Sequence, residues 1–219
     1  MPQIQFPDPR QSTEDGIIAF GGNLLPETLL TAYRQGIFPW PISDLPLPWF
    51  CPPERAVLEW HHLHIPRSLL RAQKKTQFRF THDQAFDEVI NECAQIPRPG
   101  QDGTWITDEI KSAYCRLHRL GHAHSIEVWS EDHLVGGIYG VDAGGSFAAE
   151  SMFHKKTDAS KLALLHLMKH LHDRGSHWID IQVLTPHLEA LGARVIPRDE
   201  FLDKLRDALS LKLELFKQD

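Results

Sequence analysis

Cysteine is scarce in this sequence. Cys51, Cys93 and Cys115 are odd in number and show no CxxC spacing, which excludes a disulfide framework and fits a reducing compartment. No apolar run approaches the roughly 20 residues needed to cross a bilayer, and Met1–Gln5 lacks the charged and apolar regions of a signal peptide. A cytoplasmic protein with no membrane partner is expected. There is no GxSxG motif, and Ser125, Ser151 and Ser160 lack a recognisable His/Asp partner, so direct transfer is a simpler expectation than a covalent intermediate. Neither an HExxH motif nor a cysteine pattern accompanies His61-His62-Leu63-His64 or His122-Ala123-His124, and no metal is expected.

Positive charge is also in the minority, with 23 Lys and Arg against 29 Asp and Glu and a net charge of −6. Such a protein does not coat nucleic acid over its whole surface; any contact needs a local patch. One stretch qualifies. Between Glu59 and Asp83 there is no acid, while Arg67, Arg71, Lys74, Lys75 and Arg79 fall inside it. This island suits a phosphate backbone, with a plain solvated face as the alternative.

The 219 residues, 42% hydrophobic and 24% charged, are enough for one large domain or a domain with an appendage. Residues 1–60 are rich in Pro, Gly and Trp and are expected to form a small irregular N-terminal domain, with one helix over Pro26–Gln35 stopped by Gly36. Residues 61–219 are expected to form the larger domain, of mixed character. Helices are predicted at Ala85–Ala94, at Thr107–Leu120 with Thr107 as N-cap, from an Asp158 cap to His172, after Thr185-Pro186, and over Asp199–Leu209. A loop is predicted at Pro97–Gly103. Strands are predicted at Ser125–Trp129, Leu134–Val141, Ser146–Glu150 and Trp178–Leu184. The fold class is therefore α/β (α+β), a mixed sheet with flanking helices of the acyltransferase type.

Alternation along 178–184 places Ile179, Ile181 and Val183 on one face and Asp180 and Gln182 on the other, about 7 Å apart at Cα. A carboxylate beside an amide suits the orientation of an attacking amine and a carbonyl; a solvated sheet face is the bland alternative. Glu150, among Phe147, Ala148, Ala149 and Met152, is a second embedded carboxylate and a candidate base or cation partner, with a strand-end salt bridge as its alternative.

Taken in order, Gly21-Gly22-Asn23-Leu24, Tyr33-Arg34-Gln35-Gly36-Ile37-Phe38-Pro39-Trp40, Arg55-Ala56-Val57-Leu58, Thr104-Trp105-Ile106-Thr107, Ala113-Tyr114, Gly121 to Trp129, Leu134 to Val141, Glu150-Ser151-Met152-Phe153, Ala159-Ser160-Lys161, Asp180-Ile181-Gln182-Val183, Leu191-Gly192-Ala193 and Ile196-Pro197-Arg198 resemble the bacterial leucyl/phenylalanyl-tRNA–protein transferases over roughly residues 5–205. The resemblance implies an N-acetyltransferase-like fold behind a small N-terminal domain and no dissociable cofactor; a monomer is expected, although the residues carry no signal of oligomeric state. The activity it implies is transfer of Leu, Phe or Met from aminoacyl-tRNA to proteins beginning with Arg or Lys, which marks them for degradation. It also implies roles for single residues. Asp180 and Gln182 would hold and activate the amine, with Glu150 helping to position it. Ile138, Phe147, Met152, Leu167, Leu171 and Ile179 would line the pocket for the donor side chain. Trp40, Trp105 and Tyr114, with Tyr33, would hold the terminal adenosine. Two other readings stay open on the residues alone. An acetyl-CoA-dependent acetyltransferase shares the fold, but the turn His154-Lys155-Lys156-Thr157-Asp158 has no glycine to cradle a pyrophosphate. A non-catalytic tRNA-binding module would use the basic island equally well.

Overall fold

The computed structural model describes residues 5–96 and 104–217, so the loop expected at 97–103 lies outside the described residues. The first part of the chain is less irregular than its proline content suggests. Strand β1 (Ile17–Phe20), helix α1 (Pro26–Tyr33), β2 (Phe38–Pro39) and β3 (Pro48–Phe50) build a three-stranded antiparallel sheet in the order β1-β3-β2. Its prolines sit where a missing N–H does least harm, Pro39 on an edge strand and Pro48 at the first residue of β3. Helix α1 ends as anticipated before Gly36, whose φ is +75°; a Cβ there would also stand 2.7 Å from the Phe201 ring.

The larger sheet has seven strands. In chain order the elements are β4 (Glu54–Glu59), α2 (Arg67–Lys75), β5 (Arg79–His82), α3 (Phe86–Gln95), α4 (Asp108–Arg119), β6 (Ala123–Ser130), β7 (His133–Asp142), β8 (Phe147–His154), α5 (Ala159–Asp173), β9 (Trp178–Gln182), α6 (Pro186–Glu189), β10 (Arg194–Pro197) and α7 (Arg198–Ser210). The spatial order is β10-β4-β9-β8-β7-β6-β5, antiparallel except for the parallel pair β8 and β9. Strand β4 falls within the first sixty residues yet hydrogen-bonds into this sheet between β10 and β9. Its run Arg55-Ala56-Val57-Leu58-Glu59 is buried throughout, so it shows no in-and-out alternation from which a strand is recognised.

Two apolar clusters cover the two faces of the sheet. One joins α1, α3, α4, α7 and the small sheet, through Tyr33, Trp49, Phe86, Tyr114 and Phe201; the other packs α5 and α2 on Leu58, Ile126, Ile138 and Ile179. Neighbouring residues of a strand divide between them, Val57 and Trp178 to the first and Leu58 and Ile179 to the second, as a pleated strand requires. The Thr107 cap is present, its hydroxyl accepting from the Ile110 amide at 3.3 Å. Asp158 does not cap α5: it is left-handed (φ +64°), makes no side-chain cap bond, and pairs with Lys161 at 3.3 Å.

Candidate active site

The parallel strands β8 and β9 pair at Ala148↔Asp180 and then separate. A cavity of about 400 Å³ opens between Ala149–Met152 on one side and Ile181–Val183 on the other. Two local irregularities give it its polar floor. In β8, Tyr139 pairs with Ser151 and Gly140 with Ala149, which leaves Glu150 as the extra residue of a β-bulge. A bulge bends the strand and re-aims a side chain. Gly140 permits it, because a Cβ there would lie 2.2 Å from the Ala148 carbonyl oxygen. Glu150 is therefore mid-strand, not at the strand end expected from sequence. In β9, Gln182 has φ +55°, uncommon for a residue with a side chain. Alternation stops there, and Ile181, Gln182 and Val183 all reach the cavity.

The Gln182 Nε2 donates to Glu150 Oε1 at 2.8 Å, and the Tyr114 hydroxyl donates to Glu150 Oε2 at 3.4 Å. Behind Tyr114 its hydroxyl is hydrogen-bonded to that of Tyr33. Burial pushes the Glu150 carboxyl up to about 7, and the charge of Asp180 adds to this; hydrogen bonds from Tyr33 and Tyr114 and the charge of Arg55 oppose it. Burial and Glu150 also push both phenols well above their ordinary value, so each remains a protonated donor.

Asp180 lies outside the cavity lining. Arg55 Nε and Nη2 hold its two carboxylate oxygens at 2.8 and 2.6 Å, and its Oδ1 also accepts the Gln182 backbone N–H at 3.0 Å. This is a fork-on-fork, charge-assisted pair, and the two residues are 1% and 4% exposed. The guanidinium is clamped between the rings of Phe38 and Phe201, each centroid 4.5 Å away.

Ile138, Met152, Leu164, Ile181 and Leu188 supply apolar wall, and Trp40 and Trp105 line the same cavity. The two indoles stack on each other, with centroids 5.4 Å apart and planes 24° from parallel. The structure thus brings together Glu150, Gln182, Ile138, Met152, Trp40 and Trp105 of the residues singled out from sequence. It does not bring the others there. Phe147, Leu167, Leu171 and Ile179 are buried in the cluster under α5; Ile181 and Leu164, from the same strand and helix, line the cavity. Tyr33 and Tyr114 are not among the residues lining the cavity, and their hydroxyls are directed to Glu150. Sequence reading names Arg55 only within the segment Arg55-Ala56-Val57-Leu58 and gives it no role. Its signal was a lone cation inside the apolar run Arg55-Ala56-Val57-Leu58, where an unpaired charge is costly.

The basic island divides into helix α2, which carries Arg67, Arg71, Lys74 and Lys75 on exposed positions, and exposed Arg79 at the start of β5, whose guanidinium lies 5.2 Å from the Trp129 ring centroid. Glu59, His61 and His62 bring potential metal-binding atoms within 4.8 Å of one another. Lys204 (2.6 Å) and Arg194 (2.8 Å) already share the Glu59 carboxylate. Burial pushes that group up, but these partners hold it at about 2, and their charges oppose a cation. Among the described residues no helix is long and apolar enough to cross a membrane.

Residues 57–206 match the family model described as leucyl/phenylalanyl-tRNA protein transferase, and residues 22–53 match the model of the N-terminal domain of that family. The leucyl/phenylalanyl-tRNA–protein transferase of Anaeromyxobacter sp. (strain K) is 51% identical over 204 residues, covering 93% of this chain and 88% of that protein. The protein of the same name from Shewanella sp. (strain W3-18-1) is 50% identical over 202 residues, covering 91% and 85%. That of Nitratidesulfovibrio vulgaris (strain DP4) is 48% identical over 203 residues, covering 93% and 87%.

Proposed function

The chain belongs to the leucyl/phenylalanyl-tRNA–protein transferases, a family of aminoacyltransferases, and on that premise we propose that it moves Leu, Phe or Met to the α-amine of proteins beginning with Arg or Lys, at the split between β8 and β9. One observation carries this reading: a half-buried carboxyl, raised to about 7, lies in an apolar cavity lined also by two stacked indoles. The donor side chain occupies the wall of Ile138, Met152, Leu164 and Ile181. Trp40 and Trp105 take the terminal adenine, where stacking on a base contributes about 1–3 kcal/mol.

The chemistry needs little more than placement and one proton acceptor. The amine nitrogen attacks the ester carbonyl, the carbon–oxygen bond to the ribose breaks, and a peptide bond forms. Glu150 takes the proton leaving the nitrogen and passes it to the ribose oxygen, which departs as a hydroxyl and leaves Glu150 ionised again. A protein α-amine titrates at about 7.7–8.0, close to Glu150 at about 7, so the transfer is nearly balanced, which suits general-base catalysis near neutral pH. Gln182, fixed on Glu150, orients the amine and the carbonyl. Glu150 in its ionised form also gives the acceptor's Arg or Lys side chain a negative partner. Helix α2 and Arg79 face the tRNA phosphates. The products would be marked for degradation by the N-degron pathway.

The test is transfer of labelled Phe from Phe-tRNA to three peptides: one starting with Arg, the same peptide acetylated at its N-terminus, and one starting with Met. Transfer to the first alone is expected. Equal labelling of the Met-starting peptide would overturn the acceptor assignment.

A further inference from the structure

We propose that Arg55 is a positioning residue for the transfer reaction: it anchors Asp180, through Asp180 the backbone of Gln182, and through the Gln182 amide the carboxyl of Glu150. The inference rests on the site assignment above and adds to it a residue that lies outside the cavity.

Each link is a direct hydrogen bond. Arg55 holds both Asp180 oxygens, at 2.8 and 2.6 Å; Asp180 Oδ1 accepts the Gln182 backbone N–H at 3.0 Å; Gln182 Nε2 donates to Glu150 Oε1 at 2.8 Å. Gln182 is where strand β9 departs from regular geometry, with φ +55°. A left-handed residue with a side chain persists only where its surroundings over-determine it, and the Asp180 carboxylate is the group that grips its N–H. The anchor is itself immobilised. Arg55 is 1% exposed and lies between Phe38 of β2 and Phe201 of α7. One guanidinium therefore ties the small sheet, the last helix and the strand of Gln182 into a single arrangement.

The same chain has an electrostatic consequence. Glu150 is faced by Tyr33 from α1, Tyr114 from α4, Asp180 and Gln182 from β9 and Arg55 from β4, while His187 of α6 lines the same cavity. Among these, the charge of Asp180 raises the Glu150 carboxyl and that of Arg55 lowers it. Removing the two charges one at a time should therefore move the titration of Glu150 in opposite directions. A residue that merely filled space in the core would move it in neither.

The experiment compares Arg55→Met, Asp180→Asn and the charge-neutral double variant with wild type. The readouts are kcat and KM for Phe-tRNA, the pH profile of transfer to an Arg-starting peptide, and thermal melting. Misplacement of the Gln182 amide should lower kcat in Arg55→Met by about 10- to 100-fold with KM for Phe-tRNA changed by less than about twofold. The acid limb of the profile should shift to higher pH in Arg55→Met and to lower pH in Asp180→Asn. The double variant, which leaves no unpaired buried charge and keeps an oxygen to accept the Gln182 N–H, should be faster than Arg55→Met. If a single variant loses its cooperative melt, the double variant carries the test against wild type: kcat reduced and KM unchanged support positioning. Unshifted acid limbs in the folded single variants overturn the inference, as does a folded double variant that either matches wild type in kcat or has no detectable turnover. A wild-type protein that transfers nothing to the peptide would instead sink the site assignment, so the two failures are distinct.

Discussion

Replacing Glu150 with Gln should make the protein more stable above neutral pH while nearly abolishing its activity. The carboxyl is raised from 4.5 to about 7. A folded-state value above the unfolded one means that the native protein binds the extra proton across this range, so stability is lost as pH rises from about 4.5 through about 7. A rise of that size corresponds to roughly 3 kcal/mol against the folded state once the group is ionised, and internal relaxation would reduce the observed effect. Gln keeps the shape and cannot ionise. It can still accept from the Gln182 amide, and its own amide can donate to a phenol oxygen. The assay is urea unfolding of wild type and Glu150→Gln at about pH 5 and about pH 8.5, with single-turnover transfer measured on the same samples. The variant should gain about 1–3 kcal/mol over wild type at the higher pH and little at the lower one. An equal difference at both values, or transfer retained within about twofold, would refute the reasoning that this carboxyl is held strained for proton transfer.

Three further outcomes are expected. Trp105→Ala should weaken binding of a 3′-aminoacyl-adenosine analogue by about 1–3 kcal/mol, and unchanged affinity in a titration would remove the stacking role. Ile181→Phe, on the wall of the cavity, should lower kcat/KM for Phe-tRNA more than for Leu-tRNA because the larger donor loses more space; an equal loss for both in competition assays would place the side chain elsewhere. Reversing Arg71 and Lys75 on exposed α2 to Glu should weaken tRNA binding and reduce the salt slope, by about one for each lost phosphate contact. A slope equal to that of wild type would return α2 to being a solvated face.

Much of the fold is legible in the residues, and what is not has identifiable causes. Helices α1, α3, α4, α5 and α7 follow from apolar spacing and end signals such as Thr107 and Gly36. Strand β4 escapes because both its faces are buried, so its pattern is continuous rather than alternating. Two breaks in regularity hide the geometry of the site. The Glu150 bulge is decided by what lies across from it, Gly140 on β7, and sequence order does not announce that pairing. The left-handed Gln182 ends an alternation that reads on to Leu184, and so places Gln182 at the cavity beside Ile181 and Val183. Tyr33 and Tyr114 show a different limit. An aromatic residue suited to stacking on a base and one buried to steady a carboxylate look alike until exposure is known. The partner of the buried Asp180 carboxylate is Arg55, 125 positions earlier in the chain, a distance across which no local pattern links the two.

The most direct test of the account is the structure of this protein bound to a hydrolysis-resistant 3′-amide analogue of phenylalanyl-adenosine. The phenyl ring should lie among Ile138, Met152, Leu164 and Ile181, the adenine against Trp40 and Trp105, and the carbonyl within hydrogen-bonding reach of Gln182. An analogue seated instead in the larger cavity of about 850 Å³ between Leu24, Leu45 and helix α4, with Glu150 and Gln182 untouched, would contradict it.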